Sequence, residues 1–478
     1  MAGLWTLKPQ SRESYTCDPS RLPDKVLKEK GQVCFFQEKN SNSKNHFFYN
    51  YKKRLDFSNF ENANLDFNIE KTSNDTYLKL SKLDSPLITS YEVMENSLSF
   101  DFNSDDLYVD TDLIIYEDLN KNNNSDKYEY ILPKINLNKE IENKTNLNGA
   151  FSLKSDNLIR NYDTNIFEKT NINDLVFNSD PKIYKNGIYN NYDFIIKNVN
   201  SNTQNSDNYD EDSNYYVSGL FQFNSSLPLI KENDNFQNIL KPKVAIKISP
   251  ENNTKNISNK EFRLDANNIY NLQRLSSNDT IESGLSVTYG NDFKIFDKTK
   301  SRDLLAFKLA NNIRLNENKD LPKTNQLGQK TSNFLGEVIY NPNNFLNVKY
   351  NASRKNNIKD ISYQNLITKI SLNNLVTTFD YLNENNTLNK NSYLLNKTTY
   401  SLDENNNFIF STRENKTIDL TEYYKFIYQY KNDCLAASIE YNKSYYSDAD
   451  IKPEETIFLK LTIIPFGETR TVLPGYKD

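Results

Sequence analysis

An all-β fold, a large antiparallel transmembrane β-barrel of roughly two dozen strands, is what three features of this sequence predict. From about Leu65 to Ile464 a unit of about ten residues recurs, alternating apolar and polar, as strands with one greasy and one wet face do. The apolar positions are strongly aromatic, with 32 Tyr and 28 Phe against 1 Trp and 2 Met, and strands favour such residues. Each unit closes on an Asn/Asp-rich turn.

The alternation is seen in "NLDFNIE", where Leu65, Phe67 and Ile69 share one side and Asp66, Asn68 and Glu70 the other. In "YYKFIYQY" Tyr424, Phe426, Tyr428 and Tyr430 share a side, while Tyr423 and Ile427 join Lys425 and Gln429 opposite. Residues 1–44 precede this rhythm and form an unassigned leader or remnant, in which "LPDKVLKEKG" suits a short turn of helix. The barrel domain is expected over 45–478. Its clearest strands are 107–119, 128–137, 148–160, 215–227, 243–250, 284–290, 345–355, 375–384 and 434–445. The stretch 198–216, polar and acidic, is expected to be a long surface loop, whereas connections such as 404–408 are short. Unequal connections are what a membrane barrel shows on its two sides.

Composition narrows the function. The hydrophobic fraction is 37%, below the roughly 45–50% of globular domains, so a large conventional core is excluded. Disorder is poor in aromatics, and here they are 13% and evenly spread. Net charge is -5 with both signs interspersed, and no basic stripe suggests nucleic acid. The Asn/Lys/Ile/Tyr bias fits an A·T-rich genome, so Asn content is discounted as functional evidence. No run approaches the roughly 18–20 apolar residues of a spanning helix, and the apolar stretch Ala2 to Trp5 is far short of a secretory h-region of about 7–15 residues.

No catalytic or cofactor-binding set stands out. The sole histidine, His46, lies between Asn45 and Phe47 and reads as an ordinary interfacial side chain. The acid pairs Asp105/Asp106, Glu117/Asp118 and Glu454/Glu455 are neighbours, which a strand points to opposite faces. Asp118, Asn120, Asn122, Asn124, Asp126 and Glu129 match the oxygen positions of a twelve-residue calcium loop, but that loop needs flanking helices and here the flanks are strands. No metal is assigned. The three thiols Cys17, Cys34 and Cys434 have no His neighbours and make no zinc site. An odd count leaves one unpaired if a disulfide forms.

A colinear series of segments resembles the C-terminal barrel of the lipopolysaccharide-assembly family LptD. It runs through "TSNDTYLKL" (72–80), "DKYEYILP" (126–133), "NYDTNIFE" (161–168), "PKVAIKISP" (242–250), "FRLDANNIYNLQRLSSNDTIESGLSVTYG" (262–290), "IRLNENKDLPKTNQLGQKTSNFLGEVIYNP" (313–342), "YQYKNDCLAASIEYNKSYY" (428–446) and "TIFLKLTIIPFG" (456–467). The resemblance implies a non-enzymatic outer-membrane component that inserts lipopolysaccharide (LPS) into the outer leaflet through the lumen and a lateral gate. Implied partners are LPS, an LptE-like plug lipoprotein and an LptA-like periplasmic bridge protein that docks on an N-terminal jellyroll domain. That domain and a signal peptide are not visible in this chain, so a fragment, or a gene model begun inside the true frame, is expected. Family members carry a Cys pair near the C-terminus bridged to the N-terminal domain, and only Cys434 stands at the matching place. The resemblance thus implies a disulfide of Cys434 with Cys17 or Cys34, which an oxidising periplasm permits. Two other readings stay open on the residues alone: a secreted or surface Asn-rich β-structural protein such as an adhesin, and a passive porin. A solenoid adhesin should show a fixed period of about 20–50 residues, which these segments lack.

Overall fold

The computed structural model describes residues 3–6, 14–16, 35–37, 45–57, 60–81, 87–121, 124–250, 255–357, 359–386, 390–445, 455–463 and 467–472. Its strands are β1 (Gly3–Thr6), β2 (Ser14–Thr16), β3 (Phe35–Gln37), β4 (Asn45–Leu55), β5 (Asn62–Thr72), β6 (Val93–Asn103), β7 (Leu107–Asp118), β8 (Tyr128–Ile141) and β9 (Gly149–Tyr162). Next come β10 (Ile166–Ser179), β11 (Lys182–Ile183), β12 (Tyr189–Gln204), β13 (Asp212–Ser226), β14 (Leu229–Glu232), β15 (Phe236–Ser249), β16 (Gly284–Asp297), β17 (Arg302–Arg314) and β18 (Phe334–Asn343). The chain closes with β19 (Leu346–Arg354), β20 (Ile361–Leu372), β21 (Leu375–Asn385), β22 (Lys390–Ser401), β23 (Asn406–Asn415), β24 (Leu420–Lys431), β25 (Leu435–Ser444), β26 (Glu455–Ile463) and β27 (Gly467–Val472). Two short helices, Tyr77–Ser81 and Asn124–Lys127, sit in connections.

Among the described residues 25 strands form one sheet. From β4 to β27 each long strand pairs antiparallel with the next, with β11 and β14 as short flanking pieces. Within the 1–44 segment, β1 pairs with β4, while among the described residues β2 and β3 pair with each other. The segment 22–31, where a helical turn was expected, lies outside the described residues.

The period-2 split predicted from sequence is the organising fact of the wall. On β12, Asp193, Ile195, Lys197, Val199, Ser201 and Thr203 are buried on the inner face, while Ile196 between them is 46% exposed on the outer. Outer positions carry the aromatic residues: Tyr289, Phe307, Tyr340, Phe379, Phe410 and Phe426 are all exposed. Phe177 joins them on the outer face but is buried, because it packs against Phe151 and Phe194 with ring centroids 4.6 and 5.2 Å apart.

One expectation fails. The stretch 198–216 is not a long loop: β12 runs to Gln204, β13 starts at Asp212, and only 205–211 connect them. The inner residues Val199, Ser201 and Thr203 supply the missing alternation. The outer Asn198 and Asn200 are held by side-chain hydrogen bonds rather than by packing. A hydropathy pattern does not distinguish an amide fixed in this way from a solvated one.

The two ends of the wall differ. At one end connections are short, as at 298–301, 344–345, 373–374, 402–405 and 432–434; at the other, residues 250–283 link β15 to β16 and 315–333 link β17 to β18. In detergent the chain is expected to give a strand-rich circular dichroism spectrum and to migrate faster on cold gels than after boiling. A water-soluble monomer would contradict a lipid-facing wall.

Candidate functional site in the lumen

The inner face is polar along its length. On β5 to β9 a single rung runs Asn64, Asp101, Asp110, Asn136, Asp156. Amides flank the adjacent carboxylates Asp101 and Asp110: Asn64 Nδ2 donates to Asp101 at 2.8 Å and Asn136 Nδ2 to Asp110 at 3.0 Å. Farther round, the inner charges are paired across strands, Lys243 with Asp292 at 2.8 Å, Lys308 and Lys349 with Glu337 at 3.1 and 3.4 Å, and Lys425 with Glu440 at 3.4 Å. Such pairs add little stability where solvated. Their effect here is a wettable lining of nearly balanced charge.

Into this lumen turns the segment 255–283. Asn278 Nδ2 donates to Asp156 on β9, Lys197 on β12 donates to the Asn278 carbonyl at 2.6 Å, and Gln222 on β13 donates to the Tyr270 carbonyl at 2.7 Å. Lys308 on β17 reaches Asn267 at 2.6 Å, and Arg263 bonds Glu384 on β21 at 3.2 Å. One segment touches strands from β9 round to β21, which a sheet permits only by curving about it as a barrel wall does. A small apolar core fastens it, with Leu264, Ala266 and Ile269 against Ala310, Leu321, Leu327 and Leu335. The second long connection is tied to it, Asn325 Nδ2 donating to the Phe262 carbonyl and Asn318 Nδ2 to Ser283 Oγ.

At the segment's base is a buried charge cluster. Arg274 binds Glu282 in a bidentate pair, Nε to Oε2 at 2.6 Å and Nη2 to Oε1 at 2.7 Å, and also donates to Thr288 on β16 and Asn312 on β17. Arg314 on β17 donates to Glu282 Oε1 and to the Ser283 carbonyl. Lys247 on β15 donates to the Asn271 and Leu272 carbonyls. All four charged residues are almost fully buried. Burial works against the ionised form of Glu282, but the Arg274 charge and hydrogen bonds, with Lys247 and Arg314, outweigh it and hold the carboxyl well below the usual range. Such a cluster fixes geometry, because removing one member leaves the others charged and dry.

Gly290 on β16 makes room for the segment. A Cβ at this position would meet the Tyr270 hydroxyl and the Leu309 carbonyl oxygen. Between the segment, the second connection and the wall lies a cavity of about 240 Å³, lined by Arg263, Asn325, Ser353, Ser362, Tyr363 and Glu384 among others. Arg263 stacks over the Tyr363 ring at 4.1 Å.

The residues weighed from sequence fall elsewhere. His46 packs on Phe48 and Tyr77, its Nδ1 3.3 Å from the Tyr77 hydroxyl. In the calcium-like loop Glu129 is bound by Arg160 at 2.6 Å and Asp118 accepts from the Asn120 backbone N–H; Asn122 and Asn123 lie outside the described residues. Cys434 is exposed and its thiol free, in the short 432–434 turn, whereas Cys17 and Cys34 lie outside the described residues. The lumenal segment itself was missed. Its signal is a run of non-alternating apolar residues, Leu264, Ile269, Leu272, Leu275 and Ile281, in a connection too long for a turn.

The model of a known family, LptD: LPS transport system D, matches residues 44–423. The chain belongs to the LptD family. It is thereby a component of LPS transport at the outer membrane, with LPS as the cargo of its family. No curated protein sequence matches it. Among solved structures it is similar to the siderophore receptor PirA from Acinetobacter baumannii, at 9% identity and a TM-score of 0.39, covering 81% of this chain and 74% of that one. It is also similar to the ferric enterobactin receptor PfeA from Pseudomonas aeruginosa, at 7% identity and a TM-score of 0.32 over 88% and 70%. The copper transporter OprC is matched at 7% identity and a TM-score of 0.34 over the same shares.

Two outcomes follow from the lumen geometry. Glu282→Gln is expected to free the segment, since breaking a buried pair costs about 3–5 kcal/mol; hydrogen exchange over 255–283 should accelerate while the wall stays protected. Because the folded Glu282 pKa is depressed, its contribution is fully present above the ordinary glutamate value near ~4.3 and is lost as pH falls through the lower folded value. With the intrinsic pH dependence of amide exchange divided out, the protection factor of the segment should therefore stay flat from neutral pH to about 4 and fall only below it. Gly290→Ala should displace Tyr270 and strain the β16 to β17 ladder at a cost of about 1–3 kcal/mol, read as a lower temperature for loss of the fast-migrating gel form.

Proposed function

We propose that LPS passes through this lumen, its sugar-phosphate part on the polar inner face, and leaves sideways into the outer leaflet through an opening between the first and last strands. The observation that carries this reading is the sorting of the wall, an amide and carboxylate rung inside β5 to β9 and exposed aromatic and aliphatic residues outside. An amphiphile is matched by both surfaces. Sugar hydroxyls find donors and acceptors within, and acyl chains find hydrocarbon without. The segment 255–283 binds the wall from β9 to β21, so the route favoured is along β4 to β8. No bond is made or broken in this reading, and the chain is not an enzyme.

Outer-membrane barrels keep short turns on the periplasmic side and longer loops outside. On that rule the 432–434 turn faces the periplasm and the 250–283 and 315–333 connections face out. Cys434 then stands where it can form a disulfide with Cys17 or Cys34 in an oxidising compartment. The family match from residue 44 and the start of β4 at Asn45 support a division into a 1–44 leader and a barrel domain. An LptE-like lipoprotein in the lumen and an LptA-like bridge protein complete the assembly.

Depleting the protein should leave newly made LPS in the inner membrane; normal surface LPS would favour a passive porin. A photo-crosslinker at Asp110 should capture LPS only while transport runs. Peptide mapping without reductant should recover Cys434 joined to Cys17 or Cys34, and a free Cys434 thiol in protein from the oxidising compartment would remove the bridge from the scheme.

A further inference from the structure

Outside the lumen, the wall built by β9, β10 and β12 changes chemistry over a single rung. One outward rung is Phe151, Phe177, Phe194, Phe221 and Ile248, and the next toward the long-connection end is Leu153, Leu175 and Ile196. The third is Ser155, Asn173 and Asn198, and the fourth Asn157, Asn171 and Asn200. On these three strands apolar surface gives way to amides within one rung, while β13 keeps Val217, 47% exposed, beside Asn198.

These amides form one net. Ser155 Oγ donates to Asn173 at 2.7 Å, Asn173 Nδ2 to Asn171 at 2.7 Å and to Asn198 at 3.2 Å, and Asn200 Nδ2 to Asn198 at 2.8 Å and Asn171 at 2.9 Å. Asn157 accepts from Asn171. The side chains are thus fixed across three strands, and their inward neighbours Asp174 and Lys197 are locked by an ion pair at 2.6 Å. Preorganised donors and acceptors bind without a further ordering cost. Beside Asn200 on the same rung stands Tyr215, 76% exposed. An aromatic face next to fixed amides suits a sugar ring, whose C–H face packs on the ring while its hydroxyls bond the amides.

We propose that this tier is a docking surface for the neutral sugar headgroup of an outer-leaflet lipid whose acyl chains lie on the Phe and Leu/Ile rungs beneath it. The proposal rests on the outer-membrane reading with the long connections facing out, which sets the tier at headgroup depth, just above the apolar band. The occupant's chemistry follows from charge. The net carries no ionised group, and the nearest outward cation is Lys169 on the following rung, paired with Asn202 in register. A phosphate would call for several cations. Hydroxyls call for neutral amides.

The test reconstitutes the full chain in phosphatidylcholine nanodiscs containing equal digalactosyl diacylglycerol and phosphatidylglycerol, and reads the lipids that stay bound by native mass spectrometry. The galactolipid should be retained about five- to tenfold over phosphatidylglycerol, the size one or two net hydrogen bonds provide. The triple variant Asn171→Leu/Asn198→Leu/Asn200→Leu should abolish that preference. Tyr215→Ala, at an exposed position that leaves the barrel intact, should lower it about two- to threefold even if the triple variant fails to fold. Equal retention, preference for the anionic lipid, or a ratio unmoved by Tyr215→Ala would overturn the proposal. A chain that does not insert would overturn the outer-membrane reading along with it. A cell with normal surface LPS but an intact galactolipid preference would overturn transport alone.

Discussion

In a bilayer every backbone N–H and C=O must find a partner within the protein, and a continuous antiparallel ladder is one of only two arrangements that provide it. The rest of this structure depends on that constraint. Once the ladder runs from β4 to β27, every second side chain is committed to lipid and every other to the lumen. A chain with only 37% hydrophobic residues can therefore be stably folded, since it needs an apolar shell and not an apolar centre. The interior is left free for polar chemistry, held by paired charges and amides instead of by hydrophobic packing.

A long connection must fasten itself within such an interior. The 255–283 segment does so through two unlike attachments, a small Leu/Ile core against β17 and β18 and the Arg274, Glu282, Arg314 and Lys247 cluster at its base. The apolar contacts are tolerant of shape, while the charge cluster has one geometry in which each group is satisfied. Together they hold a non-strand segment in one place against a smooth wall. Position within the lumen is then set by both attachments, and the amide and carboxylate rung on β5 to β8 lies beyond the segment's reach, below the place where Tyr77 and Leu78 pack on Phe48 and Met94.

The sequence-derived picture was accurate where alternation carries it. The strand expected at 148–160 is Gly149–Tyr162, and that at 375–384 is Leu375–Asn385, because runs such as Phe151-Ser152-Leu153-Lys154 and Thr378-Phe379-Asp380-Tyr381 alternate apolar with polar. It failed at 198–216, where Asn, Ser and Thr occupy both faces and hydropathy has no contrast to report. The lumenal segment was invisible for a different reason. Its anchors Lys197, Lys247 and Arg314 lie on three strands and meet it only after the wall has closed round, so no spacing in the chain records them. Cys434, expected to open the strand 434–445, lies instead in the turn before β25, and its proposed partner depends on residues beyond the wall.

Asparagine shows how one residue type acquires separate roles from its side of the sheet. Inside, Asn136 sits between Asp110 and Asp156 and Asn64 between Arg54 and Asp101, each donating to a carboxylate beside it on the rung. Inside again, Asn312 and Asn325 fix the lumenal segment and its neighbour by single directed bonds. Outside, Asn171, Asn173, Asn198 and Asn200 bond mainly to each other, which is what lets amides stand at the edge of an apolar band without leaving their polar atoms bare. A compositional bias toward Asn thus supplies the raw material, and the ladder's register decides what each copy does. The amide is suited to all three because it is neutral and both donates and accepts, so it tolerates a change of side that a charged residue would not.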